Sequence, residues 1–318
     1  MEPRSKTDII VAAHNAGGTI DATLRSVIDQ TDPDWRLWIV DDGSTDDTFH
    51  RVGRYLYDPR IQIFPQDCSG PSAARNHGLE RSGFTGEFVA FLDADDIWHA
   101  TFLEETRAVL EENPSVGLVW TEMNCFEGAT GTYRGDREPV VGEAAETLPR
   151  IFSQVTFLGS AVLTRSKFFR EGLRYPEEFR TMEDVHVWSA IAAQSKIATI
   201  PAGLVDYRVR ATSLSNAPGS MLKNYGDNVR SYRALYRNYA EQIPRSQYRE
   251  RMIRAHRYAG EDRMRLGHTG WLCTLRALAL APRARELWKL LALGLRSKVK
   301  HCFTRAEFLG ARRVASKS

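Results

Sequence analysis

The chain has 318 residues, of which 42% are hydrophobic and 26% are charged. This length suffices for one large domain with an appendage or for two modest domains, and the composition excludes a low-complexity or fibrous protein. The four cysteines lack the C-x-x-C spacing of a zinc knuckle, and their scatter fits a reducing compartment better than a disulfide framework.

The charge is unevenly distributed along the chain. Residues 245–318 contain 18 Lys and Arg but only 5 Asp and Glu, a balance of +13. Because the whole chain carries +3, residues 1–244 carry −10. An acidic body followed by a basic tail indicates two faces with different partners. The apolar run near the N-terminus is too short for a signal peptide or a membrane span, so we expect a cytoplasmic location.

The first third of the chain alternates between strand and helix patterns. Short apolar runs that end in polar residues, typical of buried parallel strands, occupy 8–13, 36–42, 60–64, 87–93 and 116–120. Amphipathic patterns typical of helices lie between and after them, at 19–30, 44–57 (with Ser44 as its N-cap), 70–82 and 101–113. Strands separated by such helices predict βαβ units and a mostly parallel sheet flanked by helices, an α/β fold.

The rest of the chain is less regular and then becomes helical. Residues 125–160 are Gly-rich and polar, and strand patterns at 157–166 and 196–209 flank a predicted helix at 183–194. After Pro218 the pattern is wholly helical and rich in Arg and Tyr. We therefore expect a catalytic domain at 1–217 and a basic, helical C-terminal region at 218–318.

Polar side chains follow three of the predicted strands. His14 follows the first, Asp42 ends the second, and Asp93 ends the strand of "EFVAFLDADDIWHA". In open α/β sheets ligands bind beyond the carboxyl ends of the strands. These residues are therefore expected to converge on one crevice.

The acidic cluster "DADD" favours a metal site. Asp93, Asp95 and Asp96 directly follow an apolar strand, where like charges at a partly desolvated edge repel one another. A simpler interpretation is a solvated turn, in which Asp is common. Mg²⁺ and Mn²⁺ commonly bind one or two carboxylates together with substrate phosphates, and such an ion would offset the repulsion.

The order and spacing of five motifs resemble family 2 glycosyltransferases of the GT-A fold, of the bacterial type. They are "IIVAAHNAGGTIDATLRSVIDQT", "LWIVDDGSTDDT", "GPSAARNHGL", "EFVAFLDADDIW" and "MEDVHVW", and the resemblance covers residues 6–216. Each motif is weak alone, but the combination is specific. The resemblance implies a GT-A fold and inverting transfer of a sugar from a nucleotide sugar, with a divalent cation, Mn²⁺ or Mg²⁺, as cofactor.

The resemblance also implies a nucleotide pocket. Asp42 matches the acid that contacts the nucleobase, and Ala12, His14 and Asn15 match positions that line its pocket. Arg75, in "AARN", matches the basic position near the nucleotide.

The same correspondence assigns the acids of the metal motif. Asp93 corresponds to the acid that faces the ribose, and Asp95 to the ligand of the metal that bridges the diphosphate. Asp96 stays open between a second metal ligand and an acid at a helix entry.

The motif "MEDVHVW" matches the catalytic helix. Asp184 corresponds to the base that takes the proton of the acceptor hydroxyl. Glu183 beside it and Trp188 one turn further on are assigned to the nucleotide-sugar site. Without the resemblance, Asp184 would be read as an acid that interacts with a helix dipole. Relatives often carry a Tyr-Arg-x-His stretch after this helix, but Arg210 stands where that His is usual. An arginine can pair with phosphate but cannot ligate metal.

The chain lacks the Gln-x-x-Arg-Trp motif and the membrane spans of polysaccharide synthases. We therefore expect transfer of a single sugar from a UDP-sugar to a saccharide or lipid-linked hydroxyl acceptor, in cell-surface polysaccharide or glycolipid synthesis. The basic segment 271–303 is either a peripheral contact with an anionic membrane at the inner face of the plasma membrane or a helical region docked on the catalytic domain. Nucleic acid is not expected as a partner, because no recognition motif accompanies the charge.

Rival functions fit less well. A phosphotransferase of the haloacid dehalogenase type would have Thr or Val where Ile97 stands, and would carry its D-x-D on the first strand. A dinucleotide-binding oxidoreductase would need G-x-G-x-x-G after the first strand. A module that binds sugar nucleotides without transfer is the remaining alternative, although the acids needed for transfer are present.

Overall fold

The computed structural model describes residues 6–126, 140–142, 148–152, 159–208, 223–265, 271–282, 284, 287–289 and 291. The chain divides into two compact units, which we describe separately. Unit 1 comprises 1–210 and 237–243, and unit 2 comprises 211–236 and 244–318. The predicted domain boundary at 217/218 lies outside the described residues and stays a prediction, as do the expectations for Arg210 and for the basic residues after 291.

The first half of unit 1 is the predicted parallel sheet. Its strands are β1 (Thr7–Ala13), β2 (Trp35–Asp42), β3 (Ile61–Gln66) and β4 (Phe88–Asp93). The connecting helices are α1 (Ile20–Ile28), α2 (Thr48–Gly53) and α3 (Pro71–Ser82). Strands β1, β2 and β4 are buried on both faces, which explains their continuous apolar sequences, whereas β3 at the edge of the sheet is only partly buried.

The second half of unit 1 contains short strands and helices in mixed directions. The strands are β5 (Ile97–Trp98), β6 (Val116–Phe126), β7 (Val140–Gly142), β8 (Val162–Arg165) and β9 (Lys196–Arg208). The helices are α4 (Phe102–Glu112), a 3₁₀ turn at Gly159–Ala161, α5 (Lys167–Arg170) and α6 (Glu183–Ala192).

The nine strands of the described residues form one sheet in the order β3-β2-β1-β4-β8-β6-β9-β5, with β7 beside β9. Strand β8 enters antiparallel between β4 and β6, and β5 and β7 pair antiparallel with β9. The long pairings β1–β2, β1–β4, β2–β3 and β6–β9 are parallel. The sheet is thus mixed, with its parallel pairings holding most of the paired residues, and the predicted α/β class is confirmed.

Helix α2 differs from its prediction at both ends. It begins at Thr48 and not after Ser44. Ser44 is not its N-cap, because the Ser44 hydroxyl accepts the backbone N–H of Asn15 at 2.9 Å. Instead, the carboxylate of Asp46 accepts the N–H of Thr48 at 3.0 Å. The residues before the helix hold the end of β1. Because this contact joins residues far apart in the chain, local sequence patterns do not predict it.

Helix α3 packs closely on the sheet at Gly78. A β-carbon at this position would lie 2.5 Å from Cγ2 of Ile10 in β1, so the helix can approach the strand only without a side chain there. Asp8 of β1 is also buried, and it accepts the indole N–H of Trp38 at 3.1 Å and the N–H of Gly86 at 2.8 Å. The close approach at Gly78 sets where the N-terminal part of α3 lies along the sheet.

The described part of unit 2 is helical, as predicted. Its described helices are α7 (Tyr225–Asn238, of which the last two residues belong to unit 1), α8 (Arg245–Arg265) and α9 (Trp271–Leu280). A small core of Ala277, Leu278, Leu287 and Leu291 packs against Ile253 of α8. Among the described helices of the chain, none combines the length and the apolar character that a bilayer crossing requires.

Candidate functional site

The carboxyl ends of β1, β2 and β4 lie side by side, as predicted. Ala12 is in register with Val40 of β2 on one side and with Asp93 of β4 on the other. Ala12 is partly exposed although the rest of its strand is buried. The ends of the three strands therefore form one open edge at which their polar residues meet.

The residues that follow β1 are bound to the end of β2. The Nδ1–H of His14 donates to the backbone carbonyl of Asp42 at 2.7 Å. Asn15 has a left-handed backbone with φ of 49°, and its side-chain oxygen accepts the N–H of Thr45 at 2.8 Å. His14 and Asn15 are exposed and lie at the predicted edge, where they brace the loop after β2.

Asp42 is buried and holds the loop before α3. Its Oδ1 accepts the side-chain amide of Gln66 and the N–H of Ser69, both at 2.7 Å, and its Oδ2 accepts the N–H of Gly70 at 2.8 Å. Three of its roughly four acceptor positions are thus used inside the protein. Asp42 therefore has room for one further donor, which is enough for a single bond to a nucleobase.

A second feature of this edge is a cluster of His14, Asp42 and Cys68. One ligand atom of each lies within 4.8 Å of the other two. Within the described parts of the chain, these three residues are the group of His, Cys, Asp or Glu side chains that could hold a metal ion.

The acids of "DADD" do not form a group of this kind. A metal at that motif would therefore need oxygen ligands from outside the protein.

Arg75 joins the end of β4 to the start of α6. Its Nη2 lies 2.7 Å from Oδ1 of Asp93, and its Nη1 lies 2.8 Å from Oε1 of Glu183. Burial would lower the pKa of Arg75, but the charges of Asp93 and Glu183 outweigh it and raise that pKa well above its ordinary value. Arg75 is therefore a permanent cation whose two terminal nitrogens are occupied by carboxylates.

Asp95 and Asp96 occupy different environments. Asp95 is partly exposed, and its backbone carbonyl accepts Nε–H of Arg208 at 3.0 Å. Asp96 is fully buried and accepts the hydroxyl of Ser160 at 2.6 Å and the N–H of Arg208 at 3.1 Å. Burial, together with the neighbouring charges of Asp93 and Asp95, raises the pKa of Asp96 well above its ordinary value.

These environments differ in what they leave available to a metal ion, and the metal role of Asp96 stays a prediction. Both of its oxygens are bound inside the protein and neither reaches solvent, so it anchors the loop between β4 and β5. Asp95 fits the implied ion, because a partly exposed carboxylate at a strand end is a hard oxygen donor that substrate phosphates can complement.

Asp184 stands in the first turn of α6, where the predicted base was expected. The preceding Met182 has a left-handed backbone with φ of 67°, and the N–H of Val185 donates to Oδ1 of Asp184 at 2.7 Å. Burial, followed by the charge of Glu183, raises the pKa of Asp184 to about 7, although Arg75 opposes the rise. A carboxylate whose pKa lies near neutrality is matched to proton abstraction from a hydroxyl.

Trp188 does not reach the site as the structure places it, and its assigned role stays a prediction. It is fully buried, with its ring centroid 6.0 Å from Phe91 and 6.2 Å from Tyr175. In this arrangement the side chain packs the core and presents no surface to a nucleotide sugar. Its position one turn after Asp184 places it on the inner face of α6, which the sequence alone did not distinguish from the outer face.

The sequence did not single out Tyr175, Asn76 or Ser160. The Tyr175 ring lies 5.3 Å from the guanidinium carbon of Arg75, and its buried hydroxyl has no hydrogen-bond partner within the described residues. The side chain of Asn76 binds the backbone of Tyr175 through both its oxygen and its nitrogen. The Ser160 hydroxyl also accepts the N–H of Asp93 at 3.0 Å. Only the position of Asn76 beside Arg75 in "AARN" hinted at a role.

Comparison with known proteins gives a consistent assignment. The family model described as Glycosyl transferase family 2 matches residues 8–173. An uncharacterized glycosyltransferase of Rickettsia conorii is 30% identical over 212 residues, which cover 64% of this chain and 33% of that protein. The chain thus spans about a third of the length of such Rickettsia relatives.

A relative of more similar length comes from Escherichia coli. It is described as UDP-Glc:alpha-D-GlcNAc-diphosphoundecaprenol beta-1,3-glucosyltransferase WfgD, and it is 27% identical over 225 residues, which cover 69% of this chain and 83% of that protein.

Solved structures share the fold. Staphylococcus aureus TarS 1–349 in complex with UDP-GlcNAc superposes with a TM-score of 0.59 at 17% identity, covering 93% of this chain and 92% of that one. The mannosyltransferase PcManGT of Pyrobaculum calidifontis, in complex with GDP-Man and Mn²⁺, gives a TM-score of 0.58 at 18% identity, covering 95% and 88%. At these identities the likeness establishes a GT-A fold alone.

Proposed function

Because the chain belongs to glycosyl transferase family 2, we propose that it transfers a single sugar from a nucleotide sugar to a hydroxyl acceptor, with inversion at the anomeric carbon. The observation that carries the proposal is Asp184, a carboxylate with a pKa of about 7 at the start of α6 and beside the Arg75–Glu183 ion pair. In inverting transfer one carboxylate takes the proton of the attacking hydroxyl, and the enzyme forms no covalent intermediate.

Asp184 is the proposed base because burial and the neighbouring charge of Glu183 raise its affinity for a proton. Glu183 supplies the neighbouring negative charge, and it forms an ion pair with Arg75. The Val185 N–H orients one carboxylate oxygen at 2.7 Å. The other oxygen is the atom that would receive the acceptor's proton as the hydroxyl attacks the anomeric carbon.

Arg75 acts in this proposal as a positioning residue. Its two terminal nitrogens are held by Asp93 and Glu183 at 2.7 and 2.8 Å, so they are not available as a phosphate clamp while those contacts last. Arg75 instead fixes the carboxylate of Asp93 at the end of β4, where it can face a ribose hydroxyl. The nucleobase would lie against Ala12 and His14 and take the remaining acceptor position of Asp42.

Asp95 would hold a divalent cation, Mn²⁺ or Mg²⁺, together with the diphosphate of the donor. When bound, such an ion neutralises the negative charge that develops on the leaving nucleoside diphosphate. The acids on either side of Asp95 are fixed inside the protein: Asp93 by Arg75, and Asp96 by Ser160 and the backbone of Arg208.

The proposed donor is a UDP-sugar, and the proposed acceptor is a lipid-linked saccharide in cell-surface polysaccharide or glycolipid synthesis. Support comes from the E. coli relative, whose name specifies UDP-glucose and a diphosphoundecaprenol acceptor, and from the complex of TarS with UDP-GlcNAc. We further propose that the protein works in the cytoplasm and contacts an anionic membrane through its basic C-terminal region.

The test uses the purified full chain with a panel of UDP- and GDP-sugars, with Mn²⁺, with Mg²⁺ or with EDTA. Release of nucleoside diphosphate and formation of glycosylated acceptor are measured together for wild type and Asp184→Asn. We expect metal-dependent transfer in wild type, and at least a hundredfold loss in Asp184→Asn with unchanged affinity for UDP, since a positioned base contributes about 10²–10⁴-fold. Full transfer by the variant would refute the role of Asp184, and binding without transfer by wild type would indicate a binding module.

A further inference from the structure

Unit 2 contains a pocket that the transfer chemistry does not use. It has a volume of about 540 Å³ and is lined by residues of α7, α8 and α9, all from unit 2. Sites for small molecules and cofactors commonly measure about 300–1,000 Å³. The pocket is therefore large enough for a ligand of several polar groups.

The charged side chains that line the pocket are basic. Arg233 comes from α7 and Arg276 from α9, and none of the lining residues within the described chain is acidic. Other arginines of α7 and α8 are neutralised locally, since Arg230 pairs with Asp227, and Arg254 pairs with Glu250 at 2.6 Å. Among the described residues no carboxylate pairs with Arg233 or Arg276. Two uncompensated guanidinium groups therefore face the same space.

A buried histidine and a tyrosine connect to these arginines. Nη1 of Arg276 donates to the hydroxyl oxygen of Tyr225 at 3.2 Å, so the Tyr225 proton is directed to Nδ1 of His256, 2.6 Å away. Burial, followed by the charges of Arg276 and Arg233, lowers the pKa of His256 to about 4. His256 is therefore neutral near pH 7 and carries its proton on the other ring nitrogen, as a hydrogen-bond donor.

Part of the pocket lining is apolar. Val229 and Met252 are buried, and Leu280 closes the end of α9. A ligand that fits would combine negative charge with an organic portion. Phosphate groups meet the first requirement, because guanidinium groups donate charge-assisted hydrogen bonds to phosphate oxygens.

We propose that this pocket of unit 2 binds a phosphate-bearing ligand, with Arg233 and Arg276 as its charge partners and Tyr225 as a third contact. The phosphate belongs either to the headgroup of a lipid in a bilayer or to a soluble phosphorylated compound. The proposal goes beyond the glycosyl transfer and is independent of it, because every residue involved belongs to unit 2.

The first experiment measures binding of inorganic pyrophosphate to the full chain by isothermal titration calorimetry in EDTA. The variants are Arg233→Gln and Arg276→Gln, and the matched control is Arg237→Gln, an exposed arginine of the same helix α7 that does not line the pocket. We expect each pocket variant to weaken binding about tenfold, since each removes a charge-assisted hydrogen bond to phosphate. The control should change it less than about twofold, because Arg237 does not line the pocket.

The catalytic site is the same in all four proteins, so differences among them report on the pocket. Thermal melting of each variant shows that it is folded, and donor hydrolysis in Mn²⁺ shows that transfer chemistry is unaffected. Equal affinity for pyrophosphate in wild type and both pocket variants would overturn the proposal, as would an absence of binding by wild type.

The second experiment identifies the source of the phosphate. The full-length proteins are floated with phosphatidylcholine vesicles that contain or lack phosphatidic acid. If the ligand is a lipid headgroup, wild type and Arg237→Gln float with the phosphatidic acid vesicles and both pocket variants float less. If the ligand is soluble, the variants differ in pyrophosphate binding but float alike. A loss of flotation in Arg237→Gln equal to that in the pocket variants would contradict a specific headgroup site.

Discussion

Arg75 and Glu183, which are 108 positions apart in the chain, form an ion pair in which Nη1 lies 2.8 Å from Oε1. The pair holds the first turn of α6 against α3 and thereby places Asp184 at the edge of the parallel strands. Glu183 also contributes negative charge next to Asp184, so one residue both positions the proposed base and raises its pKa.

Glu183→Gln should move the pH dependence of transfer. The amide keeps the shape of the side chain but removes a charge that raises the pKa of Asp184, so the acid limb of kcat/KM, near pH 7 in wild type, should shift to lower pH. A pH profile with saturating acceptor measures this. A limb that stays near pH 7 would show that Glu183 does not influence the titrating group. Glu178→Gln, at a residue outside the Arg75 ion pairs, is the control.

Asp184→Asn should stabilise the protein in a pH-dependent way. The folded-state pKa of about 7 lies above the ordinary value of 3.8, so the folded state binds the proton more tightly. The contribution of Asp184 to stability is therefore present below about pH 4 and is lost as pH rises through about 7. Urea unfolding should show the variant more stable than wild type at pH 8 and similar at pH 4. Equal stability at both values would contradict the raised pKa.

Asp95 and Asp96 should respond differently to the same substitution. Asp95→Asn should raise the Mn²⁺ concentration needed for half-maximal activity at least tenfold, because it removes the proposed protein ligand. Asp96→Asn should leave that concentration unchanged, because its oxygens are bound to Ser160 and Arg208. Activity titrations with Mn²⁺ distinguish the two. A similar increase in both variants would indicate that Asp96 also binds the metal ion.

Gly78→Ala should destabilise the fold. The added β-carbon would lie 2.5 Å from Cγ2 of Ile10, which sits on a branched side chain with little freedom to move. Overpacking of this kind costs about 1–3 kcal/mol. Gly53→Ala, in α2 with nothing within 4 Å of the new atom, is the matched control and should be neutral or slightly stabilising. Urea midpoints of both variants measure the difference, and equal midpoints would show that α3 can withdraw from β1 without cost.

The strands of the parallel half and their carboxyl ends were largely predictable. The buried strands of the parallel half are continuous apolar runs, so β1, β2 and β4 and the polar residues behind them follow from local pattern. Their convergence follows as well, since the carboxyl ends of parallel neighbours meet at one edge. The direction of β8 did not follow, because an antiparallel strand of four residues has the same local pattern as a parallel one.

The roles of adjacent residues were less predictable. Asp95 and Asp96 are neighbours with the same side chain, yet Ser160 and Arg208 bury one and leave the other partly exposed. Trp188 follows Asp184 by one turn, but Phe91 and Tyr175 enclose it in the core. Residues that lie far away in the chain decide both outcomes.

The amino-acid sequence by itself therefore determined the family, the α/β class and the strand ends at which the site lies, because these depend on short-range periodicity and on motifs of fixed spacing. Only the tertiary structure decided which acids face solvent, what neutralises Arg75, and where two arginines of unit 2 that have no carboxylate partner among the described residues meet around a pocket. Burial and charge pairing join residues a hundred positions apart, and no local pattern records which of them will meet.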